Sequence, residues 1–207
     1  MARVAVLGGG GAVGSVAAGI LAASGVFSEV VIADIDLGAA SRAMEKIGKG
    51  NVSAVKFDAR RPESIRNAVK GSSVVLNCVG PFYEFGPLIL KAVISQRINY
   101  VDICDDFDAT EKLLALDGDA RNAGIVALIG MGSSPGLANV LVKYCAEFML
   151  DEVEEVDIYH ALGGEDIEGA AVVKHRIHSM EMDIPMFLGG KFTTVKLFDK
   201  SGRALEE

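Results

Sequence analysis

Tryptophan is absent from the chain, and aromatic residues make up only 6 % of its 207 positions. There are 3 cysteines, Cys78, Cys104 and Cys145, widely spaced and without a C-x-x-C pair. That argues against a disulfide framework or a zinc knuckle and points to a reduced, cytoplasmic protein. Basic residues are scarce, 20 Lys and Arg against 28 Asp and Glu, for a formal net charge of −8. A phosphate-backbone binder usually carries a basic stripe. The nearest approach here is the pair Arg60-Arg61, so neither nucleic acid nor an anionic membrane is expected as a partner. No window approaches the ~20 strongly apolar residues of a membrane span. The first 27 residues look superficially like a secretory signal, but Gly8 to Gly11 interrupt the apolar stretch, at a cost of roughly 1 kcal/mol each to a helix.

Glycine is plentiful instead. The chain has 24 of them, well above the ~7 % of average usage, and they show no three-residue period. Half of the residues are apolar, enough to offset the entropy of ordering and to exclude disorder.

Short β-rich runs alternate with helical patterns up to about residue 150. Strands are expected at Val4–Leu7, Val30–Ala33, Val52–Phe57, Val74–Val79, Tyr100–Ile103 and Ile125–Ile129. The first helix, Ala12–Ser24, is expected to bury Val13, Val16, Ala17, Ile20 and Leu21, and Leu37–Ile47 reads as a second helix. Pro62 and Pro87 each suit a first helical position, Asp108 with Glu111 resembles a capping box, and Ser134 reads as the cap of a helix running through Phe148. This order predicts an α/β fold, a doubly wound parallel sheet of the Rossmann type over residues 1–150. Residues 151–207 read as the beginning of a smaller α+β domain, for substrate binding or dimerisation. There a strand is expected at Val156–Leu162, a helix at Ala170–Met182 and a hairpin around Gly189-Gly190 flanked by Pro185–Leu188 and Phe192–Phe198. A hairpin and a helix bury too little to stand alone, so this part is expected to pack on a partner subunit, giving a homodimer, or to belong to a longer chain.

After the first strand, Gly9, Gly11 and Gly14 fit G-x-G-x-x-G. Gly9 would allow the tight turn, Gly11 would admit a pyrophosphate close to the backbone, and Gly14 would let the helix pass close to the sheet. The amides of the helix start, around Ala12 and Val13, supply partial positive charge for phosphates. Asp34 closes the second strand, where a carboxylate accepts from ribose hydroxyls and repels a 2′-phosphate. Asp36 adds to that repulsion, so NAD is the expected cofactor, with NADP kept open by the nearby Arg42. Asp58 and Ala59 follow the third strand on the adenine side. Cys78, Val79, Gly80 and Pro81 close the fourth at the carboxyl edge, near the expected nicotinamide ribose; Cys78 itself reads as buried rather than reactive.

With these residues in place, the chain resembles the saccharopine dehydrogenase family, including its lysine 6-dehydrogenase-like branch. The resemblance is carried by Val6 to Gly14, by Asn77 to Phe82 with Tyr100-Val101-Asp102, and by Gly132 to Asn139. It implies NAD(P)-dependent oxidoreduction at the C–N bond of an amino acid or amine, and a second domain often used for dimerisation. Family members run longer, so the sequence is expected to stop inside that second domain. Some saccharopine-forming members carry Asp where this chain has Ser134.

Candidates for the chemistry are His178, Tyr83 and Ser134. Histidine is the residue type best suited to proton transfer near neutrality. His178 reads more readily as a hydrogen-bonded structural residue and Ser134 first of all as a cap, while Tyr83 reads equally well as an exposed loop residue. His175 and His178 would need a third ligand such as His160 to hold a metal, and no metal is assigned. Asp102 could orient a substrate amine or serve as a loop cap. Nothing supports hydrolase chemistry, and a short-chain epimerase would call for a Tyr-x-x-x-Lys pair. The alternative to an enzyme is a dinucleotide-binding module without its own catalysis.

Overall fold

The computed structural model describes residues 2–159 and 169–196. The chain divides into two compact units, Met1–Ile167 and Glu168–Glu207.

The first unit is built on six parallel strands, β1 (Arg3–Leu7), β2 (Glu29–Asp34), β3 (Val52–Lys56), β4 (Val74–Asn77), β5 (Asn99–Asp102) and β6 (Ala127–Leu128), in the order β3-β2-β1-β4-β5-β6. This is the doubly wound arrangement that the sequence predicts, with the order reversing between β1 and β4. Alternation along β1 sends Ala5 and Leu7 to one face and Val4 and Val6 to the other. On the first face Leu7, Val75 and Tyr100 pack with Ile89, Leu90 and Leu113 from the helices. On the second, Val4, Val6, Val30 and Ile32 pack against small residues, Ala18, Ala22, Ala40 and Ala43.

Those small residues overturn one expectation. Helix α1 (Ala12–Ala23) buries Gly14, Ala18 and Ala22, with Leu21 partly buried against the same core as expected, whereas Val13, Val16 and Ile20 are 56 %, 63 % and 65 % exposed. The helix turns its smallest residues inward because only they let its backbone come close to the β1 turn and the sheet. Helix α2 (Leu37–Ile47) is capped by Asp36, whose side chain accepts from the Ala39 amide, and α3 (Pro62–Val69) has Pro62 at its first position as expected.

Helix α4 (Phe82–Ser95) starts directly after Pro81, so Pro87 lies inside it rather than at its head. The earlier start is held by Asp106, which reaches across to accept from the Tyr83 amide at 3.0 Å. The next helical stretch is broken into α5 (Phe107–Leu114) and α6 (Asp117–Ala123). Asp108 is not a cap; it sits in the first turn of α5 and pairs with Lys112 at 2.8 Å. Nor does Ser134 cap the last helix of this unit, α7 (Leu137–Phe148), which begins after Gly136, with Asn139 accepting from the Gly136 amide at 2.9 Å. Helix α7 buries no residue among those described. From Asp151 the described chain is exposed, and Val156–Tyr159 forms no strand; the rest of that expected strand lies outside the described residues.

The second unit, described by itself, holds helix α8 (Ala170–Glu181) and an antiparallel hairpin of β7 (Asp183–Leu188) and β8 (Lys191–Lys196). Gly189 and Gly190 turn the hairpin with φ of +57° and +77°, values that two-residue turns of this kind require. Phe187 and Phe192 face each other across it, edge to face at 5.2 Å. The last residues of the expected second strand, to Phe198, lie outside the described residues. No helix among the described residues is long and apolar enough to cross a membrane.

Candidate functional site

The carboxyl ends of β1 and β4 lie side by side at the point where strand order reverses, with Leu7 paired to Asn77. Here the chain leaves β1 through Gly8, whose φ is +73°. A Cβ at Gly8 would lie 2.8 Å from the Cys78 carbonyl oxygen, so the two strand ends approach as closely as they do only because this residue has no side chain. The left-handed turn thus falls at Gly8, one residue before Gly9, to which the spacing assigns it. A side chain at Gly14 would collide with the Gly8 carbonyl, which confirms the need for close packing of α1 but places the contact on the turn itself.

Helix α1 opens at Ala12 with Gly11 as its N-cap and no side-chain cap. The Gly11 amide turns back to the Gly8 carbonyl at 3.1 Å. The amides of Ala12, Val13 and Gly14 belong to the first turn and have no carbonyl to bond within the helix. Ala12 and Val13 are exposed. The positive end of the helix dipole therefore opens to solvent at a bend that glycines keep bare, a setting suited to phosphate oxygens.

Asp34 ends β2 beside this bend. Its Oδ2 accepts from the Gly10 amide at 3.0 Å and its Oδ1 from the Asp36 amide at 3.1 Å. The carboxylate thus ties the glycine turn to the turn after β2, and each oxygen keeps a lone pair for a further donor. Beyond it Ile35 is 54 % exposed, an apolar surface that sequence reading did not single out. Asp58 stabilises its own turn, accepting from the Arg60 amide at 3.0 Å, while its amide donates to Ser64 Oγ at 2.9 Å. Ala59 is buried in the core.

At the end of β4 the Cys78 amide donates to the Leu7 carbonyl at 2.8 Å and the Val79 amide to Asn77 Oδ1 at 3.0 Å. Cys78 is half-buried rather than buried as expected; its desolvation, helped by the Asp102 charge, pushes the thiol up to about 12, which disfavours the thiolate near neutral pH. Gly80 and Pro81 are joined by a cis peptide, and Pro81 leads into α4 and the half-buried Tyr83.

Behind this edge lies a buried polar network that the sequence shows only in retrospect. Asn77 Nδ2 donates to the Tyr100 hydroxyl at 2.9 Å. Asp102 Oδ1 accepts from the amides of Cys104 at 3.1 Å and Gly130 at 2.8 Å, and the Asp102 carbonyl accepts from Met131 at 2.7 Å. Its Oδ2 is buried without a partner of good geometry. Burial raises the Asp102 carboxyl, against the lowering effect of the two amides and of Tyr100. Burial likewise raises the Tyr100 phenol and pushes the Cys104 thiol up to about 12. Asp102 is thus not an exposed group waiting for a substrate amine: it fastens the chain after β6 to the end of β5. The clue was the period-2 spacing of Tyr100 and Asp102, which puts both on the inner face of one strand.

Ser134 sits half-buried in the turn between Gly130 and α7. His178 and His175 lie half-buried on α8 in the second unit, where the Ser179 hydroxyl donates to the His175 carbonyl at 2.9 Å. His160, the suggested third member of a metal set, lies outside the described residues.

The family model described as the saccharopine dehydrogenase NADP binding domain matches residues 4–128, from β1 to the end of β6. The chain belongs to the saccharopine dehydrogenase family. Within this family it is similar to the carboxyaminopropylagmatine dehydrogenase of Synechocystis sp., with 25 % identity over 173 residues, covering 79 % of this chain and 42 % of that protein. It is similar also to the carboxynorspermidine synthase of Vibrio cholerae, with 26 % identity, covering 68 % of this chain and 38 % of the relative. The chain therefore spans about two-fifths of the length of these curated relatives. Among solved structures, the saccharopine dehydrogenase (L-Glu forming) of Saccharomyces cerevisiae shares the fold, with a TM-score of 0.58 and 22 % identity over 69 % of this chain and 31 % of that one.

Proposed function

We propose that this chain binds a nicotinamide dinucleotide, NAD in preference to NADP, and forms the cofactor-holding part of an oxidoreductase acting on the C–N bond of an amino acid or amine. The observation that carries the reading is the meeting, at the switch point of the sheet, of uncapped first-turn amides on α1 with the Asp34 carboxylate. A dinucleotide needs both, a cradle for its pyrophosphate and an acceptor for its adenosine ribose. The residues fit that group: Gly9, Gly11 and Gly14 with the amides of Ala12 and Val13 for the phosphates, and Asp34 for the ribose. Asp58 would lie on the adenine side, with Ala59 beside it turned into the core rather than toward the ligand, and Cys78 to Pro81 on the nicotinamide side.

The bound cofactor supplies hydride acceptance or donation. This chain's task is to hold its partners in line and keep the edge dry, and positioning is the larger part of catalysing hydride transfer. Tyr83, in the first turn of α4, and Ser134, in the turn after β6, are the candidates on the substrate side of the first unit; His178, on α8 of the second unit, is a candidate proton acceptor by residue type alone. The names of two relatives, carboxyaminopropylagmatine dehydrogenase and carboxynorspermidine synthase, support an amine substrate class. A cytoplasmic homodimer is the state this reading expects.

The family match is to a cofactor-binding domain over residues 4–128, and a second reading meets it equally: a dinucleotide-binding module that does not turn over by itself. Calorimetry with NAD and NADP, followed by a panel of amines and amino acids watched for reduced-cofactor absorbance, separates the two. Saturable NAD binding with turnover supports the enzyme, binding without turnover supports the module, and no binding of either dinucleotide overturns both.

A further inference from the structure

We infer that Asp36 sets the discrimination between NAD and NADP, by pairing with Arg42, whose guanidinium would otherwise be open to a 2′-phosphate. This rests on the dinucleotide reading above and deepens it. Asp36, which caps α2, stands between Asp34 at the end of β2 and Arg42 within α2, and it touches both. The Asp36 amide is bonded to Asp34 Oδ1 at 3.1 Å, so the backbone of Asp36 is fixed to the carboxylate that would hold the ribose. The Asp36 carboxylate uses Oδ1 to accept from Ala39, at 3.1 Å, and its Oδ2 lies 3.7 Å from Arg42 Nη2. A Cβ placed on Gly38 would come within 3.1 Å of Asp36 Oδ1 and 3.2 Å of Arg42 Nη1. The guanidinium is therefore folded back along α2 toward Asp36, into space that the missing side chain of Gly38 leaves open.

An arginine near this turn is what accommodates a 2′-phosphate. Here the cation is present but answered by the chain's own carboxylate. The pair is loose and exposed, with 71 % of the Arg42 side chain and 62 % of the Asp36 side chain open to solvent, so it contributes little to stability. Its effect falls on the ligand. An incoming 2′-phosphate meets two carboxylates and one guanidinium, a net negative group, whereas a 2′-hydroxyl meets an acceptor. Without the Asp36 carboxylate the local sum is neutral and Arg42 is free to pair with phosphate, a stronger partner than a carboxylate at arm's length. Specificity of this sort is built as much from repulsion of the wrong ligand as from attraction of the right one.

The test uses the 207-residue protein with NAD and NADP as probes. Asp36→Ser keeps a hydroxyl that can cap α2, and Asp36→Asn keeps the shape of the side chain. In both, the ratio of NADP to NAD affinity by calorimetry is expected to rise about tenfold or more, a gain of the size of one charge-assisted contact. Adding Arg42→Ala should remove that gain. A ratio that stays put in both single variants, a gain that persists without Arg42, or an unchanged protein that already prefers NADP overturns the inference while leaving dinucleotide binding intact. Binding of neither dinucleotide to the unchanged protein overturns the dinucleotide reading and the inference with it.

Discussion

Two glycine-rich turns leave the same edge of the sheet, one after β1 and one after β6, and they end differently. In each, one glycine sits where a side chain would strike a carbonyl: Gly14 against Gly8, and Gly136 against Gly132. After β1 the turn feeds a helix that buries Gly14, Ala18 and Ala22 and opens without a side-chain cap among the described residues. After β6 the turn feeds α7, which buries no residue, and the Gly136 amide there is taken by Asn139. A tight glycine path is thus not enough for a phosphate cradle. The cradle also needs free amides, a helix seated firmly on the sheet, and a carboxylate such as Asp34 at the proper distance.

The largest effects should come from breaking each turn in the same way. Gly14→Val should cost at least the ~1–3 kcal/mol of an overpacked core and abolish calorimetric binding of NAD. Gly136→Val, at a φ of +116°, should lower the melting temperature to a similar degree yet leave NAD binding in the folded fraction. Equal loss of binding in both variants would show that the second turn belongs to the cofactor site after all. Next, Asp34→Ala should weaken NAD by about 1.5–3 kcal/mol, the worth of hydrogen bonds to a charged group, and improve the relative standing of NADP. Titration of the variant with both dinucleotides checks this.

A smaller effect is expected at Asp102, which anchors the second turn. Burial raises its carboxyl in the folded protein, so the native state holds that proton more tightly than the unfolded chain does. Stability should fall as pH rises above the ordinary carboxylate range, then level off above the folded-state value. Asp102→Asn removes that contribution, and its melting temperature should vary less with pH over the same interval. The smallest effect should come from α7. Leu141 is 53 % exposed, so Leu141→Ser should change stability by less than about 0.5 kcal/mol, while Ala18→Leu on α1 should cost about 1–3 kcal/mol. Denaturant melts of the two variants make the comparison.

The sequence foretold the parallel sheet and its order of elements well, because strands covered on both faces read as continuous apolar runs and the loops between them carry Gly and Pro. The bend after β1 and Asp34 were legible for the same local reason: each depends on a few neighbouring residues. What failed depended on contacts distant in sequence. The periodicity of Val13, Val16 and Ile20 favours large residues on the inner face of α1, whereas the close approach to the β1 turn selects small ones. Pro87 suits a helix start, but the start at Phe82 is held by Asp106, from beyond the next strand. Asp102 does cap its loop, accepting from the Cys104 amide, but its second bond, from the Gly130 amide, comes from beyond β6 and leaves no local signal. Ser134 suits a cap, but α7 begins after Gly136, whose amide donates to Asn139.

The central claim is that the first-turn amides of α1 and the Asp34 carboxylate hold a dinucleotide together. An amide-resolved NMR titration of this protein with NAD tests it most directly. The account predicts saturable shifts concentrated on Gly10 to Gly14 and on Asp34 to Asp36, with the amides of α7 unmoved. Saturation that leaves those two segments unshifted, or that moves another part of the sheet edge instead, would contradict it.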